Sequence, residues 1–268
     1  MASSDQPAGG SAAVHGQLWG VRLRDWVEVQ EGVARPLYEE VLRQTRVGPG
    51  VAYLDVGCGA GLACQMAAAL GATVTGLDAS ASFISAASER VPQGHFQVGE
   101  MEHLPYPEHS FDVVTGFNSF QFAATPENAL REARRVARPG APVVVATWGL
   151  PEDCQAVATQ TAVSRLLPPP PPGAPGPFAL SDEQALKALA AQAGLTPALV
   201  ADIACPFLYP DLETALRGLL SAGPIVRAME QVGEASVRAA VANALAPFAL
   251  PEGGYRLENK FRYVIATA

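Results

Sequence analysis

The sequence predicts an α/β protein built on a doubly wound, mostly parallel sheet. Three observations carry that prediction. Between Val51 and Trp148, short β-like runs alternate with helical patterns, as expected of strands joined by crossover helices. The first run ends in the glycine-rich turn "GCGAG", residues 57–61. Acidic residues then stand at the ends of successive runs, at Asp55, Asp78 and Glu100.

The strands read in order as "VAYLDV", "ATVTGLD", "HFQVG", "FDVVTGF" and "APVVVATW". Between the first two, "LACQMAAAL" forms a helix stopped by Gly71 just past its C-terminus. Ser80 caps a second helix that runs to about Arg90. Thr125, Pro126 and Glu127 supply an N-cap, a first-turn proline and a first-turn acid for a third, which runs to about Arg138. Ahead of this core, the spacing of Trp19, Trp26, Val33, Leu37, Tyr38 and Leu42 predicts helix from Leu18 to Arg46, covering one edge or mouth of the sheet. Five prolines from Pro168 forbid helix and favour an extended connector, or alternatively a peptide ligand for a partner domain. Ser181 with Gln184 reads as a capping box. Three further helices follow: one capped by Asp211, one from about Pro224, and one with Val237, Ala240, Val241, Ala244 and Leu245 on a single face. They predict a helical lid, and "FRYVIATA" can return to the sheet as a last strand. The expected organisation is a flexible N-terminus over 1–17, a helical cap over 18–49, the ligand-binding core over 50–150, a Pro-rich connector over 151–180, and the remainder of the core over 181–268 with the lid at about 205–250.

Composition narrows the function. With 268 residues, 49% of them apolar, the chain can bury one large core. A formal charge of −8 opposes nucleic-acid and membrane partners, and no long uncharged apolar stretch or leader-like N-terminus is present, so a cytoplasmic protein is expected. Cys58, Cys64, Cys154 and Cys205 have neither metal-ligand nor CxxC spacing; they read as reduced thiols, and no metal site is expected. Lys occurs only at positions 187 and 260, while Arg, Ala, Gly and Pro abound, as a GC-rich genome would produce.

A strand, a glycine turn and a helix N-terminus together offer free N–H groups and close main-chain approach, which nucleotide-containing cofactors exploit. The dinucleotide fingerprint is G-x-G-x-x-G/A, whereas Gly57, Gly59 and Gly61 are spaced G-x-G-x-G. Asp55 argues further against a pyrophosphate, because two like charges about 4 Å apart at an effective dielectric of about 20 repel by roughly 4 kcal/mol. It welcomes an ammonium instead. S-adenosylmethionine (SAM) has an α-ammonium and no phosphate. Asp78, 17 positions after Gly61, suits a ribose diol, and Glu100 suits an adenine amino group.

The segments "LDVGCGAG", "VTGLDAS", "VGEMEHLPYPEHSFDVVTGFNSFQF" and "ALREARRVARPGAPVVVATWG" resemble the successive motifs of class I SAM-dependent methyltransferases, most closely the ubiquinone/menaquinone-biosynthesis type (methyltransferase type 11), over about residues 50–150. The resemblance implies a Rossmann-like methyltransferase fold, a seven-stranded sheet with its last strand antiparallel. It also implies that Asp55, Gly57, Cys58, Gly59 and Gly61 hold the methionine part, Asp78 and Ala79 the ribose, and Glu100 and Met101 the adenine, with Phe117 or Asn118 at the methionine amino group. Glu100 replaces the family's usual Asp, and "PGAP" the usual "PGG".

Methyl transfer needs little beyond an acceptor held in line with the methyl carbon, and a general base only where the acceptor must lose a proton. His15, His103, His109 and Tyr255 are the candidate bases; His15, just ahead of Trp19 and Trp26 in a segment the resemblance places over the cofactor, is the first choice. "FNSFQF" follows the fourth strand, so Phe120, Gln121 and Phe122, together with Trp26, Tyr38 and Trp148, are expected to line an apolar pocket for a small hydrophobic acceptor, a specialised metabolite methylated on O, N or C. The competing readings are a SAM-binding protein of this fold that catalyses another reaction such as a cyclisation, an NAD(P)-dependent oxidoreductase, and an interaction module built around the proline run.

Overall fold

The computed structural model describes residues 12–169 and 178–268. Most of the proline run, 170–177, lies outside the described residues, and both readings of it lie there too. The first element among the described residues is α1 (Ala12–Gly20), which starts inside the stretch expected to be a flexible tail over 1–17. The helix predicted from Leu18 to Arg46 is broken into α1, α2 (Leu23–Asp25), a π-type turn at Trp26–Gln30, a 3-10 turn at Glu31–Ala34, and α3 (Arg35–Gln44). α3 buries Leu37, Val41 and Leu42 at helical spacing.

The core alternates strand and helix: β1 (Ala52–Val56), α4 (Leu62–Ala69), β2 (Thr73–Asp78), α5 (Ala81–Arg90), β3 (His95–Val98), β4 (Val113–Phe117), α6 (Pro126–Val136) and β5 (Pro142–Trp148). Ser80 caps α5 as the sequence predicts, its Oγ accepting from the Phe83 N–H at 3.4 Å. Thr125 occupies the N-cap position of α6 without a side-chain cap bond, and the helix ends at Val136, before the predicted Arg138. Ala137 turns to extended backbone and bridges to Phe111, and Pro139 disfavours helix at Arg138.

Beyond β5, α7 (Val157–Ser164) occupies part of the expected connector. α8 (Glu183–Gln192) is capped by Asp182, whose carboxylate accepts from the Ala185 N–H at 2.8 Å. The predicted Ser181–Gln184 capping box does not form: the Ser181 hydroxyl donates to the Trp148 carbonyl, and its own carbonyl accepts from Arg262. Next come β6 (Thr196–Ala204), β7 (Phe207–Tyr209), the lid helices α9 (Leu212–Leu219), α10 (Gly223–Val232) and α11 (Glu234–Leu245), β8 (Tyr255–Leu257) and β9 (Lys260–Thr267). β7 and β8 pair as a small antiparallel ribbon at the base of the lid.

The main sheet has the order β3-β2-β1-β4-β5-β9-β6, parallel except for β9, which runs antiparallel to both neighbours. One apolar layer, including Leu37, Val144, Phe207, Leu216 and Val241, packs the sheet against α3, α7 and the lid helices. The other, including Leu54, Val114, Phe120, Leu130 and Leu186, packs the opposite face against α6 and α8. Burial on both faces explains why β1, β4 and β5 read as continuous apolar runs rather than alternating ones. The carboxyl ends of β1, β2 and β3 therefore lie side by side, with α1 and the lid above them.

Candidate functional site

The loop after β1 is a glycine cradle. Gly57, Gly59 and Gly61 all have positive φ (76°, 55° and 82°), the left-handed region that glycine enters without steric cost. A Cβ on Gly57 would sit 2.3 Å from the Ser119 Cβ, and one on Gly61 2.9 Å from the Ala87 Cβ, so the loop is also packed too closely for a side chain.

Three carboxylates surround this cradle. Asp55 is buried, and one of its oxygens accepts from the Thr115 hydroxyl at 2.8 Å. Because Thr115 spends its proton there, the Tyr53 hydroxyl, 2.7 Å away, is the donor to Thr115. Burial, opposed by the Thr115 bond and assisted by the negative Asp78 and Glu31, pushes the Asp55 carboxyl up to about 7. Asp78 accepts from the Gly59 N–H at 2.9 Å and the Ser80 N–H at 2.8 Å, which leaves lone pairs on both oxygens for a further partner. Burial raises its pKa, while the N–H donors counteract. Glu100 accepts from the Ala12 N–H at 2.9 Å, so α1 docks directly on it.

A cleft runs along these strand ends, lined by Gly57, Asp78, Ala79, Glu100 and Met101 from the core, by Ala12 and His15 from α1, and by Phe122. It brings together five of the residues expected to hold the cofactor. Cys58 is buried beside the cradle, and Asn118 follows β4 with φ of 51°, held by its N–H donating to the Ala146 carbonyl at 2.8 Å. His15 stacks on Phe122 with ring centroids 5.3 Å apart. Burial and the nearby Arg227 lower its pKa, with Glu100 opposing, so the imidazole is neutral at pH 7. It lines the cleft together with Gly57, Asp78, Glu100 and Phe122. His103 and His109 are exposed.

The expected acceptor pocket does not assemble as one group. Phe120 is fully buried in the core with Leu54, Val114 and Leu130, because Phe120–Phe122 form a 3-10 turn instead of continuing the strand alternation. Trp148 packs against Phe178, Phe207 and Phe261 under the lid. Gln121 donates to the Asn118 side chain at 3.4 Å. Two aromatic groups remain near the cradle. Trp19 and Trp26 meet edge to face at 5.1 Å, with Phe122 against Trp19, and Tyr38 packs on Phe117 at 4.7 Å.

Sequence reasoning missed two residues here. Glu31, in the 3-10 turn before α3, is 4% exposed and pairs with Arg90 at 2.7 Å, while also accepting from the Leu62 N–H at 3.2 Å. An acid inside an amphipathic helical pattern carries no signal that it turns inward.

The donor set fits an adenosine joined to a cationic amino acid. Two carboxylates, Asp78 and Glu100, line the cleft with Asp55 buried nearby, no Lys or Arg lines it among the described residues, and the buried Trp26 Nε1, which has no partner, lies 3.9 Å from where a Cβ on Gly59 would stand. No group of His, Cys, Asp and Glu suited to a metal ion occurs among the described residues. The fold is the Rossmann-like methyltransferase fold, with the cleft at the carboxyl ends of its strands.

Residues 54–145, about a third of the chain, match the family described as "Methyltransferase domain", for which S-adenosyl-L-methionine is the expected cofactor. It is similar to the ubiquinone biosynthesis O-methyltransferase of Maricaulis maris, 36% identical over 103 residues that make up 37% of this chain and 41% of that protein. It is likewise similar to the malonyl-[acyl-carrier protein] O-methyltransferase of Erwinia pyrifoliae, 29% identical over 185 residues, 69% of this chain and 66% of that protein. Against other curated relatives the match is 141 residues, so the chain spans about half their length (51%). Among solved structures, the [4+2]-cyclase SpnF superposes with a TM-score of 0.61 at 20% identity, covering 97% of this chain and 98% of that one, a likeness of fold alone. No helix among the described residues is long and apolar enough to cross a membrane.

Proposed function

We propose that the protein methylates O, N or C of a small, hydrophobic acceptor, of the specialised-metabolite kind, in the cytoplasm. The observation that carries this reading is a cleft beside the glycine cradle lined by Asp78 and Glu100 with no lining cation, with Asp55 buried behind the cradle and close enough to Asp78 to feel its charge. Asp78 has free lone pairs for a ribose diol, and Glu100 can exchange its Ala12 N–H for an adenine amino group. Asp55 supplies negative charge for an α-ammonium. When bound, SAM supplies a methyl group already activated by its sulfonium. The remaining task is orientation, which can contribute several kcal/mol.

The aromatic side chains Trp19, Trp26 and Phe122, and Tyr38 with Phe117, support a hydrophobic acceptor, while Phe120 and Trp148 take no part in this reading. His15 is read as an adenosine contact, its neutral imidazole able to donate or accept. Four free, buried cysteines suit a reducing compartment.

The test is calorimetric binding of SAM, S-adenosylhomocysteine and NAD to the wild type and to Asp78→Ala, followed by an acceptor screen read as S-adenosylhomocysteine release. Binding of the first two ligands, weakened at least tenfold in the variant, is expected; binding of NAD alone overturns the reading. Acceptor turnover without S-adenosylhomocysteine release overturns methyl transfer while keeping the cofactor.

A further inference from the structure

The N-terminus of α4 is where an α/β nucleotide-binding fold ordinarily receives a phosphate, because the helix dipole and the unpaired N–H groups of the first turn favour an anion. In this chain the protein fills that place with its own carboxylate. Gly61, the N-cap of α4, has no side chain to cap it, and Glu31, from a segment 31 residues earlier, accepts from the Leu62 N–H instead. Its other oxygen is held by Arg90 at the end of α5, and the same Arg90 nitrogen donates to the Ala60 carbonyl at 2.7 Å. Both ends of the "AGL" stretch are therefore gripped, the carbonyl of Ala60 by Arg90 and the N–H of Leu62 by Glu31. Arg90 is itself largely covered, its side chain 17% exposed. Paired charges buried this deeply are costly to assemble and contribute little to stability compared with an apolar replacement, so a geometric role accounts for them better than a stabilising one.

We propose that Glu31 and Arg90 are positioning residues for the cofactor: they hold the glycine cradle in its left-handed course from the N-terminal cap, and the Glu31 carboxylate bars a pyrophosphate from the helix end. The inference rests on the cofactor reading above and deepens it, since it makes the N-terminal cap part of the cofactor site and names the source of discrimination against dinucleotides. Asp55 points the same way, but Glu31 is the group that meets the helix N–H directly.

Glu31→Gln keeps the shape and the acceptor for the Leu62 N–H but removes the charge; Arg90→Met removes the grip on Ala60 with little loss of volume. Two readouts are taken on each folded variant, amide hydrogen exchange over residues 57–65 without ligand and calorimetric binding of S-adenosylhomocysteine. Faster exchange confined to 57–65 is expected, together with at least tenfold weaker binding and a double variant no worse than the weaker single. A purely structural pair would lower the melting temperature and raise exchange throughout, leaving affinity within twofold at temperatures where the variants are folded, and that result overturns the proposal. Unchanged exchange over 57–65 overturns it as well. Failure of the wild type itself to bind S-adenosylhomocysteine is the separate outcome that removes the cofactor reading and this inference with it.

Discussion

Asp55 is a carboxyl group placed where it is poorly solvated, with a single side-chain donor in Thr115 and two other acids nearby. Its folded pKa of about 7 lies above the ordinary value of 3.8, so between those limits the folded protein holds a proton that the unfolded chain has released. Stability from this group is thus present at low pH and falls as pH rises from about 4 to about 7. A cationic cofactor end reverses the local balance by favouring the carboxylate. Affinity for S-adenosylhomocysteine is therefore expected to rise from pH 5.5 to 7.5 with release of up to one proton, measured by calorimetry in buffers of different ionisation enthalpy. Asp55→Asn should bind without that proton release and with a flat pH profile. An unchanged proton count in the variant would assign the titration elsewhere. Asp55, Asp78 and Glu100 were visible in the sequence because each stands at or just after the end of a β-like run, and strand ends are where ligands gather. Glu31 and Arg90 were not, because their partnership joins residues 59 positions apart and leaves no periodic trace.

Among the elements, α1 has the most direct hold on the cleft. It lies so close to the β2–α5 turn that a Cβ on Gly16 would stand 2.3 Å from the Ala79 carbonyl oxygen, a backbone atom that cannot yield cheaply. Gly16→Val should consequently lift α1 from Ala79 and Glu100 while leaving the sheet intact. The expected result is increased hydrogen exchange over residues 12–20, a melting temperature lowered by only a few degrees, and weaker S-adenosylhomocysteine binding. Wild-type affinity in this variant would show that α1 does not shape the site. The core elements were legible throughout 51–148, where period, glycine and cap signals agree. At particular places, inside that range and beyond it, the sequence misled for identifiable reasons. Phe120 reads as a pocket-lining residue after the fourth strand, yet the chain turns at Ser119, whose hydroxyl donates to the Val56 carbonyl at 2.6 Å, and Phe120 is buried in the core. β6 escaped notice because it is an edge strand with mixed exposure, and α7 because prolines follow it closely in sequence.

At the scale of the whole molecule, charge and aromatic contacts close the cap and the lid over the same strand ends. Arg217 of α9 reaches Asp25 and Glu28, and Arg22 reaches Glu234 of α11, linking the N-terminal cap to the lid at its exposed rim. Such exposed pairs are screened by water and salt, so they bias the closed arrangement without locking it. The sheet has a different dependence. β9 pairs along its whole length with both β5 and β6, and Val264 at its centre is fully buried. Removal of residues 260–267 should give a chain that scatters light on refolding and does not bind S-adenosylhomocysteine; a soluble, binding-competent product would show that β1 to β5 suffice. The strand order also sets a timetable for synthesis. β5 presents "PVVVATW", with an unpaired edge and no proline after its first residue, from the moment Trp148 leaves the ribosome until Lys260 and its followers arrive to cover it. During that interval the nascent chain carries a ready template for pairing with another copy of itself, and its yield in the cell depends on how quickly the intervening segment is made or how well it is chaperoned.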